Sequence, residues 1–166
     1  MIQNQSVRIL AIAPLSRGLG YAVMEGAGRL VACGNKVILR DKNAEALAWV
    51  KRFIQFYQPD ILVLPNVNAA DTRRAARIKS LHRQIVALAK THQLKVRLIS
   101  ATQQRERLLG DSKATKQAMA EALAKTFPVE LGSRLPPKRR AWMSEDPRMD
   151  IFDAVGLAAV FWPKRK

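Results

Sequence analysis

Residues 7–13 form an almost unbroken run of branched and small apolar side chains, the pattern of a strand buried on both faces. Gly18 and Gly20 mark a turn into a second strand over 21–24. Gly26 and Gly28 then make a hairpin to a third, over 30–39. The period next lengthens. Leu47, Val50, Ile54 and Tyr57 recur at helical spacing, with Trp49, Phe53 and Phe56 beside them, until Pro59 ends the helix. A short strand follows over 61–64, then a helix over 72–91 with Ile78, Leu81, Ile85 and Leu88 on its inward stripe. A fifth strand covers 95–99. Ser100 with Gln103 has the spacing of a capping box that opens a short helix ending near Gly110. A helix over 113–127 comes next. Residues 131–146 hold Pro136 and Pro137 and read as an ordered loop or an arm. The last helix runs over 147–162, with Asp146 as N-cap, Pro147 at its first position and Pro163 as its stop.

Three strands, then strands alternating with helices, is an α/β layout in one domain, 1–166, with a basic, proline-containing loop at about 131–146. The hairpin signal and the right-handed crossover rule place 7–13 at the centre of the sheet. It should lie antiparallel to 21–24 and parallel to 61–64. With 48% hydrophobic residues in 166, the chain can fill a single core.

Charge changes the picture. Lys and Arg number 29 against 13 Asp and Glu, a net +16, so the expected partner is a polyanion. A chain-wide basic bias without a specific ligand is the bland alternative. Aromatics at 6% argue against a broad stacking platform of the single-strand-binding kind. Arg73, Arg74, Arg77, Lys79 and Arg83 face no acidic residue between 73 and 83, which suggests a cationic helix face. Arg105, Arg107, Lys113 and Lys116 are expected near a helix start, where backbone N–H groups also favour phosphate. Lys138, Arg139 and Arg140 precede Trp142, which is either buried or free to stack. Cys33 is the single cysteine, so an internal disulfide is excluded and a core role is the simple reading. His82 and His92 suit surface or cap roles; Met119, Met143 and Met149 suit packing. Ser16 and Ser112 have no histidine–carboxylate arrangement around them. Residues 1–13 have no signal-peptide pattern, and the longest apolar stretch, 154–162, is about half of a membrane span. A cytoplasmic location without membrane contact is expected.

Asp150 and Asp153 lie three apart on one helical face and could share a hard cation, though acidic residues in a helix's first turns are also favoured by its dipole. Four blocks add to this. Residues 9–21, I-L-A-I-A-P-L-S-R-G-L-G-Y, resemble the opening strand and turn of RuvC-type Holliday junction resolvases, roughly I-L-G-I-D-P-G-x-R-x-x-G-Y. The closing D-I-F-D-A-V-G-L-A over 150–158 resembles their D-x-x-D-A element, and Lys116 with Gln117, Ala118 and Met119 resembles a K-x-x-V element whose lysine meets DNA phosphate. The stretch 135–142, L-P-P-K-R-R-A-W, through Glu145, Asp146 and Arg148 is similar to a bacterial RuvC-like subgroup.

The resemblance implies an RNase H-like three-layer fold: a five-stranded mixed sheet, three strands antiparallel and two parallel, flanked by helices. It also implies four carboxylates around two divalent ions that cleave a phosphodiester. Here the first-strand Asp position holds Ala13 and the Glu position Pro65, leaving Asp150 and Asp153 as the residual catalytic and metal-binding pair. Replacement ligands would have to come from Asn66, Asn68, Asp71, Glu145 or Asp146. The reading that follows is a catalytically impaired resolvase homologue requiring no cofactor, which binds branched or duplex DNA through Arg73, Arg74, Arg77, Lys113, Lys116 and 138–140. The alternatives are an active Mg²⁺- or Mn²⁺-dependent structure-selective endonuclease with a rebuilt site, and a basic RNA- or protein-binding scaffold. The resemblance also implies a homodimer, since a two-fold junction takes two symmetric cuts.

Overall fold

The computed structural model describes residues 6–67 and 75–162. Strands β1 (Arg8–Leu15), β2 (Gly18–Glu25) and β3 (Leu30–Val37) form an antiparallel meander, and β4 (Ile61–Pro65) and β5 (Lys95–Ile99) extend it in parallel. The order is β3-β2-β1-β4-β5, with β1 pairing antiparallel to β2 and parallel to β4, as its apolar pattern and the hairpin signal predict. Helices α1 (Lys42–Tyr57) and α2 (Ala76–Thr91) are the crossovers leading into β4 and β5. After β5 come α3 (Ala101–Leu109), α4 (Lys116–Thr126), the single-turn α5 (Pro128–Leu131), a 3₁₀ turn at Gly132–Arg134, and α6 (Met149–Phe161).

Strand periodicity divides the core into two layers. Ile9, Ala11 and Ala13 of β1 point to one face, where they pack with Ala154, Val155 and Leu157 of α6 and Leu123 of α4. Leu10 and Ile12 point to the other, against Val50, Phe53 and Ile54 of α1 and Leu81 and Ile85 of α2. α6 crosses close over β2. A Cβ added at Gly20 would lie 1.9 Å from the carbonyl oxygen of Asp150, so only glycine lets this helix start settle on the sheet. Ala13 pairs with Gly20, which brings the end of β1 under the same helix.

Element ends differ from the sequence expectations for local reasons. β3 stops at Val37, leaving Leu39 exposed. α2 begins at Ala76 among the described residues. α4 begins at Lys116 because Asp111 accepts the N–H of Lys113 in a turn, and the Thr115 side chain caps Ala118. α6 begins at Met149, not Pro147. Asp146 accepts the Arg148 N–H, and the N–H groups of Met149, Asp150 and Ile151 each bond three residues back, a 3₁₀-type entry. The capping box at Ser100 and Gln103 is complete, and Gly110 closes α3 in the left-handed conformation. Arg8 is tied to Glu25 and to the Tyr57 carbonyl, closing the far end of the hairpin.

Candidate functional site

The two-residue turn between β1 and β2 projects Arg17 towards the start of α6. There its Nε lies 3.1 Å from both Asp150 carboxylate oxygens and its Nη2 lies 2.6 Å from Oδ1. The Asp150 side chain is 0% exposed, and the same Nη2 donates to Glu145 at 3.0 Å. Burial pushes the Asp150 carboxyl upwards against the pull of this guanidinium, and the guanidinium is held above its ordinary range by the two acids. Both oxygens accept from one arginine, the geometry of an ionised pair. Lys116, the first residue of α4, reaches across with Nζ 3.6 Å from Glu145 and 3.7 Å from Asp153.

Glu145, Asp150 and Asp153 thus bring one carboxylate oxygen each to within 4.8 Å of one another. The cluster carries three negative charges against the two positive charges of Arg17 and Lys116. Beside it lies a cavity of about 90 Å³, lined by Ala13, Pro65, Gln104, Arg105, Lys116 and Asp153 among others. Ala13, Pro65 and Asp153 therefore do converge at the strand ends. Asp150 is not on the lining of that cavity; its carboxylate is held by Arg17.

These residues do not fit a two-ion centre. The methyl of Ala13 and the ring of Pro65 offer no ligand atom, and oxygen is what Mg²⁺ and Mn²⁺ require. Two divalent ions would bring four positive charges to a cluster whose net charge is already minus one, with an arginine and a lysine inside it. Among the replacement ligands considered, Glu145 joins the cluster, whereas Asp146 is turned to Arg148, 2.8 Å away. Asn66 does not line the cavity, and Asn68 and Asp71 lie outside the described residues.

No protein-family model matches the chain, and no curated protein sequence matches it. Solved structures do. RuvC from Thermus thermophilus superposes with a TM-score of 0.69 over 93% of this chain and 92% of its own, at 16% identity. The yeast mitochondrial Holliday junction resolvase Ydc2 gives a TM-score of 0.63 at 10% identity, over 94% and 78%. The fowlpox virus Holliday junction resolvase gives 0.58 at 13%, over 93% and 96%. The chain has the fold of these RuvC-type structures.

Within this RuvC fold the expected phosphate contacts are used unequally. Arg73, Arg74 and the basic tail 164–166 lie outside the described residues. Arg77 keeps its charge but is held in place: it donates to Asn43 Oδ1 at 2.9 Å and to the Ser16 carbonyl at 3.3 Å, bracing the β1–β2 turn that carries Arg17. Arg107 donates to the Val160 carbonyl at 2.9 Å, and Arg105 lines the cavity. These two sit along α3 and not at a helix start, and Lys113 sits in the turn before α4. Lys116 serves the acidic cluster. Lys138, Arg139 and Arg140 remain exposed on the loop before α6. Cys33 is half-buried on β3, under Arg134, and Met143 is exposed, not packed.

Arg17 is the residue that sequence reasoning missed. It stood in the matched block, but its partner is 133 positions away. His82 was also misplaced: it is buried on α2, its Nε2 3.1 Å from the Pro65 carbonyl, so that nitrogen carries the proton. Burial lowers its pKa from the ordinary 6.5, outweighing the opposing hydrogen bond to Pro65. The unfolded chain therefore takes up the second ring proton, the one that charges the imidazole, more readily than the folded one. The stability contributed is fully present above 6.5 and is lost as pH falls from there towards the folded value. Urea unfolding at stepped pH is expected to show that loss, and His82→Asn, which keeps an N–H donor but cannot titrate, is expected to reduce it.

Proposed function

We propose that this chain is a nucleic-acid-binding protein on a resolvase frame, which engages branched or duplex DNA through phosphates and does not hydrolyse it with divalent metal. The observation that carries this reading is the acidic cluster whose carboxylates are already paired with Arg17 and Lys116, beside a cavity where Ala13 and Pro65 stand at the expected ligand positions. In this fold the chemistry needs metal-held oxygens, and the residues that remain are committed to internal ion pairs. What is left is charge: a net +16, with Lys138, Arg139 and Arg140 presented on a loop beside the site. The similar RuvC and fowlpox structures include complexes with Holliday junction DNA, which supports a branched ligand here. A two-fold junction also favours a homodimer, to be measured by sedimentation of the free and DNA-bound protein.

The deciding experiment is incubation with four-way junction, duplex and single strand under Mg²⁺ and Mn²⁺. No cleavage above background is expected, together with binding whose log K falls linearly with log salt. Replacing Lys138, Arg139 and Arg140 by Ala should reduce that slope by about 2 to 3 and weaken binding across all sequences alike. Glu145 favours one second reading, an endonuclease with a rebuilt one-ion site, because it completes a three-carboxylate cluster. Cutting that disappears in Asp150→Ala would install that reading in place of the first.

A further inference from the structure

The loop between the 3₁₀ turn and α6 is anchored at its base and bare at its tip. Pro136 is buried, its carbonyl accepting from Gln117 at 3.4 Å, and at the other end Glu145 is held by Arg17 and Lys116. Between these anchors a tight turn closes with the Met143 N–H donating to the Arg140 carbonyl at 2.9 Å. The turn presents Trp142 at 75% exposure and Met143 at 45%. The Arg140 guanidinium lies against the Trp142 ring, 5.3 Å from its centroid. That exposure leaves the faces of the indole open to a flat partner.

Charge identifies the occupant. From 137 to 144 the loop carries Lys138, Arg139 and Arg140 and no acid. Below them a groove of about 420 Å³ runs between the loop and the start of α4, with Lys116, Lys138 and Arg139 on its lining and its two acids, Glu145 and Asp146, paired with Arg17 and Lys116 and with Arg148. A cationic rim, a helix start and a solvent-facing indole on one anchored loop suit a phosphate backbone with a base turned out of its stack.

We propose that Trp142 is a base-stacking residue. The indole packs on an unstacked base at the branch point of junction DNA while 138–140 hold the flanking phosphates. This rests on the DNA-binding reading above and adds where and how discrimination between branched and linear DNA arises. Smooth duplex offers no open base face, so the ring contributes nothing there.

The test uses the full chain, a four-way junction carrying 2-aminopurine at its branch point, and a duplex of equal length. Wild-type protein should quench the 2-aminopurine on binding. Trp142→Ala should abolish the quenching and weaken junction affinity roughly tenfold. Duplex affinity and the salt slope should hold within about twofold, and Trp142→Phe should retain most of the effect. Because the side chain is exposed, both variants should melt with the wild type. Equal loss on junction and duplex would show that the residue merely shapes the loop, and unchanged junction affinity would show that the ring is idle. Either overturns the stacking role and leaves DNA binding standing. Wild-type protein that binds neither DNA overturns both readings. Preference for anionic vesicles over junction would transfer the loop to a membrane surface and overturn the assignment.

Discussion

Arg17→Met is expected to destabilise the fold by about 3 kcal/mol, because it strands a fully buried carboxylate. Asp150 has no solvent contact and places both oxygens on this one guanidinium. Lys116 cannot take over, since it spans Glu145 and Asp153 instead. Arg17 is itself 28% exposed, which keeps the expected loss at the lower end of what broken buried pairs cost. The signature lies in pH. Burial already raises the Asp150 carboxyl above 3.8 in the presence of Arg17, and without that cation the rise must grow. A carboxyl whose folded pKa lies above its unfolded one favours folding most below the unfolded value, and that advantage disappears as pH rises through the folded value. The deficit of Arg17→Met should therefore be small near 3.8 and widen towards neutrality. Adding Asp150→Asn should recover most of it, because the charge that needed a partner is gone. Urea denaturation across that range measures all three. A deficit under about 1 kcal/mol that ignores pH is what a surface pair gives, and it would remove the ion pair from the centre of this account.

That pair was the least legible part of the chain. Period-two alternation in β1 assigns Ile9, Ala11 and Ala13 to one layer and Leu10 and Ile12 to the other, so the central strand and its neighbours follow from local pattern and turn glycines. That Ala13 and Pro65 offer no metal ligand was equally visible, since it is read from residue identity alone. Partnership is another matter. Arg17 meets Asp150, Arg77 meets Asn43 and Lys116 meets Glu145 only after the sheet and α6 have assembled. A run of arginines in sequence does not say which of them folding will tie to the rest of the chain. Trp142 shows the same limit from the other side. Its flanking charges suited a buried ring or a presented one, and only the turn at Arg140 and Met143 decides for presentation. Helix starts shifted by two or three residues for a smaller reason: Asp111 and Asp146 each captured a nearby backbone N–H before the helix began.

Ala13, at the end of the central strand, makes the second large prediction. Ala13→Asp is expected to cost about 2 to 4 kcal/mol without metal and to make stability depend on it. Ala13 is 4% exposed and lines the same cavity as Asp153, with Lys116 nearby but already shared between Asp153 and Glu145. A new carboxylate there loses hydration and meets a like charge, so the apo variant should melt well below the wild type. A divalent ion that binds the folded cluster and not the unfolded chain restores stability as RT ln(1 + [L]/Kd), about 2.7 kcal/mol at a hundredfold excess over Kd. Titrating Mn²⁺ at constant ionic strength should therefore raise the variant's melting temperature in a saturable way, and Ala13→Asp with Pro65→Glu more steeply. The wild type should respond far less, since Arg17 and Lys116 already offset two of its three carboxylate charges. The control that matters is the wild-type titration. A saturable shift there as large as the variant's would mean that Mn²⁺ displaces Lys116 or Arg17 from an intact site, and the one-ion endonuclease would then be the better description of this chain.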